Sequence, residues 1–262
     1  MTLIVSLRIP DGIVIAGDSL ATMMSQMNLV GEVNVKCPQC EHEHTVGPVP
    51  VGQLTVPSTT YSYAQKVFSL FGKYGVGTYG AGQLSGKTIY FAMRELEEEV
   101  AKTGGTPDTV LKVAEMIGER ALNLLKAQMP DIDTAEDDWH AVGFQVVGYD
   151  GPDARTFVVD VGKSVKTKER VGPGCTIAGQ RHVVEAMWGL YKQRPQDQAQ
   201  YSLFSLQDAI AYAEFLIGTT ASYQKFSRSI PQVGGEIDIA LVTPFDKFKW
   251  IRQKELGKIL GG

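Results

Sequence analysis

The apolar positions of the chain follow two kinds of pattern, and each predicts a different element. Short runs of β-branched residues between Gly, Pro and Asp turns are typical of strands, and they predict strands at 3–9, 13–22, 140–149, 155–161, 165–170, 236–243 and 247–252. Apolar residues that recur every three and four positions predict helices at 84–100, 107–128, 180–192 and 205–224. Thr106 is the expected N-cap of the second helix. Together the two patterns predict an α+β protein.

Composition and charge narrow the range of functions. The chain has 262 residues and a formal net charge of -4, so it offers no basic stripe and we expect no nucleic-acid partner. No stretch approaches the roughly twenty apolar residues of a membrane span, and the amino terminus lacks a secretory-signal pattern. We therefore expect no membrane association and a cytoplasmic location. Three cysteines are too few for a disulfide framework, which agrees with a reducing compartment.

Thr2 is the residue whose position carries the most chemistry. Once the initiator methionine is trimmed, Thr2 becomes the amino terminus and holds a hydroxyl and a free α-amine on one residue. An α-amine has an ordinary pKa of about 7.7–8.0, so it can accept the hydroxyl proton near neutral pH. The pair is therefore a nucleophile with its own base.

Three segments of the chain resemble the proteasome β-subunits and the related subunit of a bacterial two-component protease. They are the hairpin from Thr2 to Gly17-Asp18-Ser19, the stretch from Lys66 to Gly80, and the strand that follows Gly234-Gly235. The type is bacterial or archaeal, with an inserted Cys-x-x-Cys hairpin. The resemblance implies the fold of the amino-terminal-nucleophile (Ntn) hydrolases, a four-layer αββα sandwich, for a single domain over residues 1–262.

The resemblance also implies roles for individual residues. The threonine is the nucleophile, the lysine lowers the pKa of its amine and hydroxyl, the aspartate holds the lysine in place, and a glycine N–H binds the oxyanion. In this order the implied catalytic residues are Thr2, Lys66, Asp18 and Gly80. The residues implied to line the substrate cleft are Thr22, Thr78 and Tyr79.

The function implied by the resemblance is that of a threonine peptidase. It cleaves peptide bonds through an acyl-enzyme on Thr2, inside a self-assembled ring that is a cyclic homo-oligomer. Peptides or unfolded proteins are the expected substrates, an unfolding ATPase is the expected partner, and catalysis needs no cofactor. Two alternatives stay open: a non-catalytic ring subunit, and an Ntn amidase or peptide ligase with a specific substrate.

Two motifs of the family differ in this chain. The family's serine between two glycines is replaced by the sequence at 176–180, and an aspartate three residues ahead of a second serine is missing at 229–233. Thr176, Ser227 and Ser229 are the candidates for the missing hydrogen bonds to the α-amine, and the sequence does not choose between them. These departures concern catalytic competence more than the fold.

An insertion separates Thr22 from Lys66 and carries two cysteines two residues apart. Alternating valines on both sides of them predict a protruding β-hairpin at about 29–57 that contacts a neighbouring subunit or covers the cleft. A Cys-x-x-Cys turn with nearby imidazoles is typical of half a zinc site. The candidate ligands of a structural zinc ion are Cys37, Cys40, His42 and His44. An exposed turn without metal is the alternative.

Overall fold

The computed structural model describes residues 2–36, 38–191, 193–228 and 230–254. The chain divides into two compact units, one made of residues up to 21 and from 61 onward, the other of residues 22–60. Both helices and strands are abundant in the larger unit, so the chain is a mixed α+β protein, as its patterning predicts. No helix in the described part of the chain is long and apolar enough to cross a bilayer.

Fourteen strands and four α-helices make up the regular structure of the described residues. The strands are β1 (Leu3–Ile9), β2 (Gly12–Asp18), β3 (Ala21–Lys36), β4 (Glu43–Tyr61), β5 (Val67–Leu70), β6 (Tyr74–Gly80), β7 (Gln83–Leu84), β8 (Lys87–Thr88), β9 (Val142–Asp150), β10 (Asp153–Val161), β11 (Val165–Glu169), β12 (Gly174–Gly179), β13 (Ile237–Thr243) and β14 (Lys247–Arg252). The helices are α1 (Ile89–Lys102), α2 (Val110–Gln128), α3 (His182–Tyr191) and α4 (Leu206–Lys225).

Two five-stranded sheets dominate the larger unit. The first has the strand order β12-β1-β2-β13-β14, and the second has the order β11-β10-β9-β6-β5. Every neighbouring pair in both sheets is antiparallel. Because side chains alternate along a strand, each strand supplies one set of residues to the helices and another to the opposite sheet.

Helices cover one face of each sheet. An apolar cluster joins the second sheet to α1 and α2, and it contains Met93, Ile117, Phe144 and Val159. A separate cluster joins the first sheet to α3 and α4, and it contains Leu3, Leu7, Val184 and Leu216. Amphipathic helices pack in this way because burial of their apolar stripe removes that surface from water.

A third apolar cluster lies between the two sheets. Ile4, Ile13 and Ile15 of the first sheet pack there with Val147 and Val158 of the second. The sheets approach closely at Gly77, where an added Cβ would lie 2.5 Å from the side chain of Ile4. A residue larger than glycine at this position would push the sheets apart.

Both helices predicted in the first half begin later than their apolar patterns indicate. Leu84 belongs to β7, and α1 begins only after Thr88, whose side chain accepts the N–H of Phe91. The N-cap of α2 is Thr109 rather than Thr106. The Pro107 carbonyl instead accepts the Tyr74 hydroxyl at 2.9 Å, a long-range bond that local patterns do not reveal.

Strand β12 is absent from the prediction, which left residues 174–179 as a loop. It pairs with β1 from Leu3, opposite Gly179, to Arg8, opposite Gly174. Two glycines and one alanine in six residues give it a weak strand pattern. Tertiary pairing with β1 therefore decides its conformation.

The smaller unit is the hairpin of β3 and β4, and these strands extend beyond the predicted 29–57 on both sides. Two side-chain hydrogen bonds connect the strands: the Thr45 hydroxyl donates to Asn34 Oδ1 at 2.9 Å, and the Gln53 amide donates to Asn28 Oδ1 at 3.1 Å. Many of its apolar side chains are exposed, namely Met23, Met27, Leu29, Val30, Val33, Val35, Val46, Val51 and Leu54.

Candidate active site

Asp18, at the end of β2, is the centre of the candidate site. Its carboxylate is fully buried and accepts four hydrogen bonds. The Leu3 N–H donates to Oδ1 at 3.0 Å, while the N–H groups of Leu20 and Gly234 donate to Oδ2 at 3.2 and 3.0 Å. The fourth donor is the Lys66 ammonium, 3.0 Å from Oδ2. Four segments that are distant in sequence therefore meet at one carboxylate.

Lys66 lies just before β5 and is 5% exposed. Besides its ion pair with Asp18, its Nζ donates to the Leu20 carbonyl. Burial lowers the pKa of the Lys66 ammonium, and the Asp18 carboxylate opposes that change. Burial likewise raises the pKa of Asp18, against the opposing effects of Lys66 and the backbone N–H groups. A lysine with a lowered pKa releases its proton more readily, which suits it to proton transfer.

A second buried ion pair lies near the first. The backbone N–H of Lys254 donates to Asp238 Oδ1 at 2.8 Å, and its Nζ pairs with Oδ2 of the same residue. Both side chains are 1% exposed or less. The positive charge of Lys254 makes a further, smaller contribution to the lowered pKa of Lys66. This pair was not predicted, because nothing in the local sequence distinguishes Lys254 from a surface lysine.

The backbone of Thr2 is held from two sides. On one side the next residue, Leu3, donates its N–H to Asp18. On the other, the Thr2 carbonyl accepts the Gln180 N–H at 2.7 Å. Gly179 has φ +85°, and an added Cβ would lie only 1.9 Å from the Thr2 carbonyl oxygen. Thr2 is 4% exposed, so its backbone is both buried and hydrogen-bonded.

Gly80 ends β6 in a conformation that other residues rarely adopt. Its φ is +87°, and an added Cβ would lie 2.4 Å from the Ala141 carbonyl oxygen. The next N–H, from Ala81, donates to that same carbonyl at 2.8 Å. The position therefore requires glycine for steric reasons, and its role in binding an oxyanion stays a prediction.

The three residues predicted to line the cleft lie in different surroundings. Thr78 is 6% exposed; its N–H donates to the Lys66 carbonyl at 2.8 Å, which joins it to the candidate catalytic lysine. Tyr79 is also buried, and its hydroxyl donates to Asp160 at 2.6 Å. Burial and this carboxylate raise the pKa of Tyr79 well above its ordinary value. Thr22 belongs to the smaller unit.

Three of the four candidate metal ligands lie in described residues at the turn of the hairpin, while Cys37 lies outside them. Cys40 Sγ is 3.1 Å from His44 Nε2, so these two side chains are close. His42 Nδ1 is instead 2.7 Å from the Cys40 carbonyl. The described part of the chain contains no cluster of three His, Cys, Asp or Glu side chains that could hold a metal ion.

The candidates for the missing hydrogen bonds to the α-amine lie in different parts of the fold. Thr176 lies opposite Ser6 on β1, three positions along β12 from Gly179. Ser227 donates to the Gln224 carbonyl at 3.0 Å, and Ser229 lies outside the described residues. A further hydroxyl is that of Ser19, which follows Asp18 in sequence; its Oγ is buried and has no hydrogen-bond partner among the described residues. It was not predicted from the sequence.

Comparison with known proteins adds no assignment for this site. The chain matches no protein-family model, and no curated protein matches it significantly. The chemistry of the site must therefore be inferred from its own residues. A buried lysine can support nucleophilic chemistry at a threonine when its carboxylate partner also binds the backbone N–H that follows that threonine.

Proposed function

We propose that the chain is an amino-terminal-threonine peptidase of the proteasome β-subunit type. One observation carries the proposal: the Asp18 carboxylate binds both the Leu3 N–H, immediately after Thr2, and the Lys66 ammonium. Asp18 and Lys66 are 48 residues apart in sequence, and the resemblance assigns both of them to catalysis at Thr2. An ordinary surface ion pair would not be buried, nor would it share its carboxylate with the backbone of the candidate nucleophile.

The proposed reaction begins with the excision of Met1, which creates the α-amine of Thr2. The hydroxyl proton of Thr2 passes to this amine, and Oγ attacks the carbonyl carbon of the scissile peptide bond. The resulting oxyanion accepts the N–H of Gly80. Collapse of the intermediate breaks the C–N bond, and the departing amine takes the proton. Water then hydrolyses the acyl-enzyme ester, which releases a carboxylic acid and regenerates Thr2.

Lys66 would assist the first step in two ways. In its charged form it stabilises the developing alkoxide of Thr2 and lowers the pKa of the α-amine. Burial lowers its own pKa, although the Asp18 carboxylate opposes that change, so it holds its proton less tightly than a solvent-exposed lysine. Asp18 keeps the lysine oriented, since its carboxylate is itself held by three backbone N–H groups.

The arrangement of sheets and helices supports the finer fold assignment. The two antiparallel sheets share an apolar cluster, and each sheet packs against its own pair of helices. We infer that these are the layers of the αββα sandwich of the Ntn hydrolases. By the same resemblance the protein would form a cyclic homo-oligomer, would cleave peptides or unfolded proteins, and would receive them from an unfolding ATPase. The sequence patterns favour the cytoplasm as its location.

One observation favours the non-catalytic alternative. Thr2, Thr78 and Tyr79 are each 6% exposed or less, so a substrate has little access to them in the conformation described. A ring subunit that serves assembly alone would have no need of such access. A peptidase requires Thr2 for hydrolysis, whereas a non-catalytic ring subunit does not.

Peptide hydrolysis by the full-length chain distinguishes a peptidase from a non-catalytic ring subunit. Intact mass first shows whether Met1 is removed, and a fluorogenic peptide library then measures amide hydrolysis. We expect Thr2→Ala to abolish hydrolysis, Thr2→Ser to retain part of it, and Thr167→Ala, on exposed β11, to leave it unchanged. A protein that keeps Met1, or hydrolysis that survives Thr2→Ala, would exclude the peptidase mechanism. Activity on one small amide and none on the library would favour the amidase alternative.

A further inference from the structure

The layer between the two sheets changes character along its length. Around Ile4 and Ile15 it is apolar. Further along, the inward positions are polar instead. Ser6 lies two positions after Ile4 on β1, and Thr156 lies two positions before Val158 on β10, so each shares a face with its apolar neighbour. Ser6 and Thr156 are 2% and 3% exposed, respectively. Polar side chains in such a layer are unfavourable unless they find partners.

These two hydroxyl groups lack partners within the described part of the chain. Ser6 Oγ and Thr156 Oγ1 are both buried and form no hydrogen bond to any described residue. Buried hydroxyl groups in folded proteins are nearly always hydrogen-bonded to protein, water or a ligand. Their surroundings therefore need a molecule that accepts hydrogen bonds.

Ser6 and Thr156 both belong to the wall of a partly open cavity of about 270 Å³. Its wall also includes Thr176 on β12 and two arginines, Arg8 and Arg170. The cavity is large enough for several waters or for an anion of a few heavy atoms. It is a formed space, partly open to solvent, with hydroxyl and guanidinium side chains in its wall.

The charges around the cavity favour an anion. Arg8 is fixed in place, because its Nε donates to the Gly172 carbonyl at 2.6 Å and its Nη1 to the Ala154 carbonyl at 2.7 Å. The one carboxylate in the wall, that of Glu169, is already paired with Arg155 at 2.7 Å. Glu169 also raises the pKa of Arg8, so three guanidinium groups, those of Arg8, Arg155 and Arg170, share one carboxylate and leave a net positive charge at the cavity.

We propose that this cavity is a binding site for a small oxyanion, a carboxylate or a phosphate. The hydroxyl groups of Ser6 and Thr156 donate to its oxygens, and Arg8 and Arg170 balance its charge. The site is separate from Thr2: Arg8 and Leu3 are five positions apart on β1, roughly 17 Å along a strand. The inference therefore does not rest on the proposed peptidase function.

Titration calorimetry on the full-length chain tests this site. The two probes are inorganic phosphate and succinate, in a buffer without other oxyanions, and glycerol is the uncharged control. Ser6→Ala and Thr156→Val remove the two hydroxyl groups with little change of shape. Ser69→Ala is the matched control, because Ser69 Oγ is also buried without a partner among the described residues but does not line the cavity.

We expect one saturable site per chain for at least one probe, and the tighter probe identifies the ligand class. Loss of one hydrogen bond to a charged ligand should weaken binding about tenfold to a hundredfold in Ser6→Ala and in Thr156→Val. Arg170→Gln should weaken it as well, while Ser69→Ala and Arg94→Gln, on α1, should not. Without ligand, the two hydroxyl variants should keep the melting temperature of the wild type or exceed it.

Three results would overturn the proposal. The first is that neither probe shows saturable binding. The second is binding with equal affinity to the wild type and to both hydroxyl variants. The third is a clear loss of melting temperature in the hydroxyl variants without ligand, which would mean that the hydroxyl groups hold structural waters instead.

Discussion

The Asp18→Asn variant tests the buried ion pair directly. The amide keeps the shape of the carboxylate and can still accept the Leu3 N–H. Its NH₂ group, however, must then face three donors: Lys66 Nζ and the N–H groups of Leu20 and Gly234. The substitution therefore leaves a buried ammonium without its counter-charge and places donor against donor.

The magnitude follows from the burial of the pair. Removing one partner of a buried ion pair costs about 3–5 kcal/mol, which is a large part of the total stability of about 5–15 kcal/mol that domains have. For a domain of this size each kcal/mol lowers the melting temperature by about 2–4 °C, so we expect a decrease of roughly 6–20 °C. Asp133→Asn, at an exposed position on a single helical turn, should change it little.

Thermal and urea unfolding of Asp18→Asn, Lys66→Met and the double variant complete the test. Because the double variant has no unpaired ammonium, it should lose less stability than the sum of the two single losses, with a coupling energy of about 1–3 kcal/mol. All three variants should be inactive in peptide hydrolysis. A melting temperature of Asp18→Asn close to that of the wild type, or additive losses in the double variant, would refute the argument for a buried pair.

Three further predictions concern separate parts of the chain. Gly80→Ala forces a Cβ to within 2.4 Å of a carbonyl oxygen at φ +87°, so it should cost at least about 1–2 kcal/mol of unfolding free energy; wild-type stability would contradict this. The folded state raises the pKa of Tyr79, so it keeps a proton that the unfolded chain releases above pH of about 10. The stability advantage of the wild type over Tyr79→Phe should therefore be constant below that pH and fall by about 1.4 kcal/mol per pH unit above it; an advantage that grows with pH would contradict the stated burial. If the hairpin turn holds zinc, elemental analysis should find one ion per chain in the wild type and none in Cys37→Ser or Cys40→Ser, whereas a metal-free wild type that takes up no added zinc would favour an exposed turn.

The parts of the fold that sequence predicts well are those decided by local patterns. The strands β1 and β2 are runs of β-branched residues on both sides of a Pro-Asp-Gly turn, and α4 has a capping box between Ser205 and Asp208 at its start. The predicted starts of α1 and α2 were wrong by several residues, because the N-caps that form are Thr88 and Thr109. At α2 the distant Asp150 carboxylate also accepts the Val110 N–H. Strand β12 was missed since it depends on pairing with β1 rather than on its own residues.

The candidate site likewise has residues that the sequence predicts and residues that only the folded structure reveals. Asp18 and Lys66 were predicted to meet because their segments resemble known ones, not because any periodicity joins them. The pair of Asp238 and Lys254 was not predicted, since charged residues near the end of a strand usually face water. Ser6 and Thr156 gave no signal either. A single polar residue in a strand indicates a solvated face, and only the opposing sheet makes these two buried.

The central claim is that Thr2 is a nucleophile with its own α-amine beside it. Incubation with a peptide epoxyketone, followed by tandem mass spectrometry, tests it most directly, because this electrophile bonds to a hydroxyl and an amine on one residue. The account predicts a single adduct at Thr2, formed without Met1 and lost in Thr2→Ala and in Lys66→Met. An unlabelled protein, or an adduct at any other residue, would contradict it.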